Sequence, residues 1–174
     1  MYLPQTVLSE RVVSGMTVQL SQESQATIQR LLERYPTRRA VLLPALHLAM
    51  REFPYIDDEV CQAVADLLQV PMVDVKGVAT FYSLFPTEPH GKYSLEVCIN
   101  LSCSLHGARR CLRYLENKLG IKAGETTPDG RFTLRGMECL AACDKAPMMH
   151  INNEVMHTHL TEAKLDQILQ ELAK

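Results

Sequence analysis

Four cysteines in two close pairs, Cys98-Ile-Asn-Leu-Ser-Cys103 and Cys139-Leu-Ala-Ala-Cys143, are the residues of this sequence whose type and spacing promise chemistry. Thiolates are soft ligands for zinc and for iron–sulfur clusters, so two such pairs brought together in one small fold would make a four-thiolate site. Spacing bears on the metal. Structural zinc commonly uses CxxC pairs, whereas four residues separate the first pair here and three the second, on loops long enough to wrap something larger than one ion. The pattern favours a [2Fe-2S] cluster, with a structural zinc as the alternative. His106 is close to Cys103 and could replace a thiolate as in Rieske centres, but four cysteines already complete a ligand set. Lys145, two residues after Cys143, could favour a reduced cluster by its charge. His47, His90, His150, His157 and His159 read as surface or hydrogen-bonded residues, and Cys61 and Cys111 as small buried hydrophobes inside helical patterns.

The elements that position the quartet are legible from periodicity. Tyr93, Leu95, Val97 and Ile99 alternate with Ser94, Glu96, Cys98 and Asn100, as in a strand with one buried face that delivers Cys98 at its end. The helical period then returns with Leu105, Ala108, Leu112, Leu115 and Leu119, and Gly120 closes that helix. This puts Cys103 at or just before a helix N-terminus, where free N–H groups and the dipole favour negative charge. Pro128-Asp129-Gly130 signals a turn, and Phe132 and Leu134 open a second strand towards Cys139. Met148 to Ile151, the turn Asn152-Asn153 and Glu154 to His157 read as a hairpin. Thr161 then caps a last helix carrying Leu165, Ile168, Leu169 and Leu172 on one face.

Upstream the pattern is helical throughout. Ile28, Leu31, Leu32 and Tyr35 make one stripe, ended by Pro36. Leu42, Ala45, Leu46, Ala49, Met50 and Phe53 make a second, with Pro44 in its first turn and Pro54 after it. Asp57 or Asp58 can cap a third helix, burying Val60, Val64, Leu67 and Leu68. Pro71 suits the first position of a fourth, reaching about Leu84. In that fourth helix Gly77-Val78-Ala79-Thr80-Phe81-Tyr82 combines poor helix formers with two aromatics, which fits either core packing or an interface where another chain comes close.

The fold class is therefore α/β, α+β overall: an N-terminal extension at 1–20, a small helical bundle at 21–88, and at 89–174 an α/β layer resembling a thioredoxin-like core. A CxxC redox motif, a glycine-rich phosphate loop and a Ser/His/Asp arrangement are all missing from the sequence. A formal net charge of -2 with mixed signs provides no basic field for nucleic acid or anionic lipid. No apolar run spans a bilayer and the first twenty residues do not read as a secretory signal, so a soluble intracellular protein is expected.

Cys98-xxxx-Cys103, a gap of about thirty-five residues, and Cys139-xxx-Cys143 followed by Ala146-Pro147 together resemble the thioredoxin-like [2Fe-2S] subunit of NADH:quinone oxidoreductase, the E-type subunit of respiratory complex I. The Gly77 to Tyr82 segment and the helical region before the cysteines fit the same family, so the resemblance covers roughly residues 21–174. Ala141 departs from it, since relatives often have glycine there. The resemblance implies that Cys98, Cys103, Cys139 and Cys143 each ligate one [2Fe-2S] cluster. It also implies that FMN and NADH are bound by a partner flavoprotein subunit, and that this chain carries single electrons without a substrate site of its own. It further implies other subunits of a multi-subunit oxidoreductase and a cytoplasmic location, peripheral on the inner face of the membrane. The equivalent small subunit of a soluble NAD-linked formate dehydrogenase or hydrogenase is the first alternative. A zinc-stabilised interaction module is the second.

Overall fold

The computed structural model describes residues 18–173, and the chain divides into two compact units, one ending at Pro89 and the other starting at His90. Of the extension expected over residues 1–20, residues 1–17 lie outside the described residues. Leu20, its last residue, is buried in the first unit, and Val18 packs against the same core.

Among the described residues the first unit holds four α-helices: α1 (Gln22–Arg34), α2 (Leu42–Glu52), α3 (Asp58–Leu68) and α4 (Met72–Phe81). Ser21 caps α1 by accepting from the Ser24 N–H, and Asp57 caps α3 by accepting from the Val60 N–H at 3.0 Å. Pro44 is the third residue of α2, within the first turn, where the N–H it lacks has no intrahelical partner to lose. A short 3-10 turn, Arg38–Val41, leads straight into α2. The apolar pattern carries α4 to about Leu84, yet it stops at Phe81. Tyr82 leaves helical geometry and its carbonyl accepts from the Phe85 N–H in a turn. Pro71 is the cap of α4 rather than its first residue. Ile28, Leu46, Ile56 and Leu68 are among the fully buried side chains between these helices, and Cys61 is buried with them, as its helical position predicts.

Glu52 ties the end of α2 to the start of α1. Its carboxylate accepts from the Ser21 N–H and hydroxyl, each at 2.7 Å, and from the Ser24 hydroxyl. Burial acts to raise its pKa, but the bonds from Ser24 and Ser21 outweigh it and hold the carboxyl below its ordinary value. A carboxylate depressed on folding contributes stability above its unfolded pKa, about 4.3 for glutamate, and loses it as pH falls through the lower folded value. The thermal-midpoint advantage of the native chain over Glu52→Gln is therefore expected to shrink as pH is lowered through the acid range. A difference independent of pH in calorimetry would contradict this account.

The second unit holds a four-stranded sheet in the order β2-β1-β3-β4, formed by β1 (Tyr93–Cys98), β2 (Phe132–Met137), β3 (Met149–Ile151) and β4 (Val155–His157). β1 pairs parallel to β2 and antiparallel to β3. The helices are α5 (Leu101–Leu105), α6 (Ala108–Leu119) and α7 (Glu162–Leu172). Leu95, Leu115, Leu134, Met148 and Leu165 form the centre of its core.

Alternation in β1 predicts one buried face, and the structure buries both. Ser94, Glu96 and Cys98 are 6%, 1% and 3% exposed, because β1 is an interior strand and the hairpin turn closes over its polar side. The Glu96 carboxylate accepts from the Ser94 hydroxyl and the Asn153 N–H, both at 3.1 Å, while Asn152 Oδ1 accepts from the Ser94 N–H at 2.7 Å. Asn152 and Asn153 both take positive φ, 55° and 56°, as their residue types allow. A buried carboxylate is tolerable only when so satisfied. Burial still pushes its pKa above the usual range, against the pull of Ser94, Asn153 and the Arg135 charge.

Candidate metal centre

Strand register delivers the first cysteine. Cys98 ends β1 opposite Met137 at the end of β2, with the Ile99 N–H donating to the Met137 carbonyl at 2.8 Å and the Cys98 N–H to the Met148 carbonyl at 3.1 Å. Ladder bonds hold Cys98 on both sides. Cys139 and Cys143 lie beyond the end of β2, in a loop that closes with the 3-10 turn Cys143–Lys145 and continues through a cis Ala146–Pro147 bond.

Cys103 is placed differently from the sequence expectation. The helical period suggests one helix beginning near it, but Gly107, at φ 93°, divides the segment into α5 and α6. Cys103 is the third residue of the five-residue α5, and the Leu101 N–H at its start is already taken by Asn100 Oδ1 at 2.8 Å. The Leu101 N–H is therefore not free to face a thiolate. Leu105, assigned by periodicity to the apolar stripe, is 77% exposed instead. Gly107 was the legible sign of the break.

The four thiols fall into a buried and an exposed pair. Cys98 and Cys103 are 3% and 2% exposed, whereas Cys139 and Cys143 are exposed and their sulfurs lie 3.9 Å apart. Burial above all, then its hydrogen-bonded neighbour Cys98, pushes the Cys103 thiol up to about 11. The Cys143 thiol is raised first by its hydrogen bond with Cys139 and then by that neighbour's charge. The two loops meet: the Ser102 hydroxyl donates to the Cys143 carbonyl at 3.1 Å.

Ala141 sits between the exposed pair at φ 61°, and its N–H donates to Cys139 Sγ at 3.4 Å. Left-handed backbone costs a residue with a Cβ roughly 1–2 kcal/mol, which a glycine would avoid. A glycine would therefore suit this position better than alanine does.

Two thiol pairs on loops that meet supply the soft donors of a four-thiolate set, which suits a two-iron cluster. His106 Nδ1 lies 2.8 Å from the Ser102 carbonyl oxygen. Lys145 is exposed, and Cys111 is buried with its thiol towards the Leu160 carbonyl.

The stretch Gly77 to Tyr82 lies mostly at the surface. Ala79 is buried, Phe81 is 79% exposed and stacks edge-on to Tyr82 with centroids 5.0 Å apart, and a Cβ built on Gly77 meets nothing within 4 Å. Periodicity alone missed Asn100, Ser102 and Glu138, polar side chains that bond from one cysteine loop to the other. Their only sequence signal is adjacency to the cysteines.

Comparison with known proteins gives a consistent result. The model of the thioredoxin-like [2Fe-2S] ferredoxin family matches residues 28–173. The chain is 46% identical over 143 residues to the second E-type subunit of NADH-quinone oxidoreductase from Rhizobium meliloti, covering 82% of this chain and 84% of that one. It is 36% identical over 148 residues to the E-type subunit from Aquifex aeolicus, covering 85% and 92%, and 37% identical over 152 residues to that from Escherichia coli K12, covering 87% and 91%. Among solved structures, an NAD+-reducing [NiFe]-hydrogenase chain shares the fold with a TM-score of 0.66 at 23% identity. The likeness spans 76% of this chain but 23% of the hydrogenase chain, so it is to one part of that longer protein.

Proposed function

Because the chain belongs to the thioredoxin-like [2Fe-2S] ferredoxin family, we propose that it is the one-electron carrier subunit of an NADH:quinone oxidoreductase, with Cys98, Cys103, Cys139 and Cys143 as the ligands of one [2Fe-2S] cluster. The observation that carries this reading is the meeting of two thiol pairs, one buried and one exposed, at the end of β1 and beyond β2. The bound cluster supplies reversible one-electron storage beside a flavin that accepts two-electron hydride from NADH. The chain's residues supply the rest. Burial of Cys98 and Cys103 keeps water from one side, and the Ala141 N–H, aimed at Cys139 Sγ, stabilises negative charge on that sulfur.

The partner in this reading is a flavoprotein subunit that binds FMN and NADH, within a complex peripheral to the cytoplasmic face of a membrane. Among the described residues, no helix is long and apolar enough to cross a membrane. Leu101 and Leu105, 72% and 77% exposed, stand one turn apart on α5, the helix that carries Cys103, and offer an apolar contact for that partner.

Anaerobically purified full-length chain is expected to be red-brown, to bleach with dithionite and to give a rhombic EPR signal when reduced. A colourless protein holding stoichiometric zinc would overturn the assignment. Copurification from the source cells with an FMN-containing subunit and quinone-reducing partners is the expected assembly. A [NiFe] subunit in their place would move the chain to a soluble NAD-linked enzyme.

A further inference from the structure

Sheet register fixes Cys98, but no ladder reaches the loop that carries Cys139 and Cys143. Two side chains lying between Cys98 and Cys103 reach across to it. Asn100 Nδ2 donates to Glu138 Oε2 at 3.0 Å, next to Cys139, and the Ser102 hydroxyl donates to the backbone carbonyl of Cys143 itself at 3.1 Å. Both donors sit on a framework that is itself held. Asn100 Oδ1 caps α5 through the Leu101 N–H, the Ser104 N–H donates to the Asn100 carbonyl at 2.8 Å, and the Ser104 hydroxyl donates to the Ile99 carbonyl at 2.7 Å. The two cross-loop bonds thus grip the second loop beside each of its cysteines.

We propose that Asn100 and Ser102 are positioning residues, a clasp that sets the distance and orientation of the exposed Cys139/Cys143 pair relative to the buried Cys98/Cys103 pair. This rests on the cluster assignment above. The physical reason is that a two-iron cluster requires its two thiolate pairs at a fixed separation, and a loop outside the sheet samples many separations unless something restrains it. Exposed hydrogen bonds contribute little to global stability, so their placement at both ends of the ligand loop matters more than their strength.

The two functions of Asn100 can be separated chemically. Asn100→Asp keeps the Oδ1 acceptor that caps α5 but removes the amide donor to Glu138 and sets two carboxylates against each other. Adding Glu138→Gln restores a donor–acceptor pair with the polarity reversed. For the hydroxyl, Ser102→Ala removes the donor and Ser102→Thr keeps it.

The test compares full-length wild type, Asn100→Asp, Asn100→Asp with Glu138→Gln, Ser102→Ala and Ser102→Thr, each reconstituted with iron and sulfide. The rate of cluster loss to an iron chelator and the EPR line shape of the reduced protein are measured. Amide hydrogen exchange over residues 138–145 of the metal-free chain is followed in parallel. Asn100→Asp and Ser102→Ala should each lose the cluster about tenfold faster than wild type, the low end of what hydrogen-bond partners of metal ligands contribute. They should also broaden the EPR signal and speed exchange in that loop, and the double variant and Ser102→Thr should recover towards wild type. Equal loss rates and unchanged spectra across the set would overturn the clasp, as would failure of both rescues. If wild type itself assembles no cluster, the ligand assignment fails, and unchanged loop exchange would sink the clasp separately.

Discussion

A Cys103→Ser chain is expected to lose the visible absorption and EPR signal of the cluster and, with them, much of the stability of the second unit. Cys103 is buried in the α/β core at 2% exposure, so no external thiol can substitute for it at that position. Serine offers a harder, shorter ligand that four-thiolate clusters do not ordinarily use. A group that binds only the folded state stabilises it by roughly 4 kcal/mol when present at a thousand times its dissociation constant. For a domain of 60–100 residues that corresponds to a fall of roughly 15–30 °C in the thermal midpoint once binding is lost. The four-helix unit ending at Pro89 has its own buried core, and its transition should stay where it is in the wild type. Calorimetry that resolves two transitions, with only one moving, is the expected result. A single transition in which both units collapse together would show that they do not fold as separate units.

Gly91→Ala is expected to damage the same unit without touching a cysteine. A Cβ on Gly91 would lie 2.8 Å from the Phe132 carbonyl carbon and 2.9 Å from both the Arg131 carbonyl carbon and the Phe132 nitrogen. All three are backbone atoms at the start of β2, which cannot swing aside as a side chain could. The Gly91 N–H also donates to Thr133 Oγ1 at 2.7 Å, and the Lys92 and Tyr93 N–H groups donate to Gly130 and Arg131 carbonyls, so the strand start is pinned where the methyl group must go. Overpacking of this kind costs typically about 1–3 kcal/mol, and more when the obstacle cannot relax. Because β1 and β2 pair in register from Tyr93 with Phe132 to Cys98 with Met137, a shift at the start is transmitted along the ladder to the cysteine end. Faster chelator-driven cluster loss should accompany the lowered thermal midpoint. A midpoint within 1 °C of wild type, roughly a quarter of a kcal/mol or less in a domain of this size, would refute the steric argument.

Much of this was written in local sequence. Ser21, Asp57 and Thr161 are caps because their side chains reach N–H groups three residues on. Pro36, Pro54 and Gly120 end or bound helices, and Asn152-Asn153 turns the hairpin because both residues accept positive φ. These signals depend on near neighbours, so they survive without knowledge of the rest of the chain. The spacing of the cysteines marked the chemistry for the same reason.

Tertiary structure decided what depends on distant residues. Alternation marked Glu96 as solvent-facing, yet it is 1% exposed, because a hairpin more than fifty residues later folds over that face and brings the Asn153 N–H to it. Periodicity began one helix at or just after Cys103, but the structure sets that buried thiol inside the short α5, separate from α6, with Leu105 turned outward. Above all, the division of the four cysteines into a buried and an exposed pair, and the reach of Asn100 and Ser102 between them, follow from how β1 and β2 end side by side. Sequence by itself determined which atoms can bind metal. Only the sheet, by bringing together loops about forty residues apart in the chain, determined their arrangement, because strand register and burial are long-range properties that no local spacing encodes.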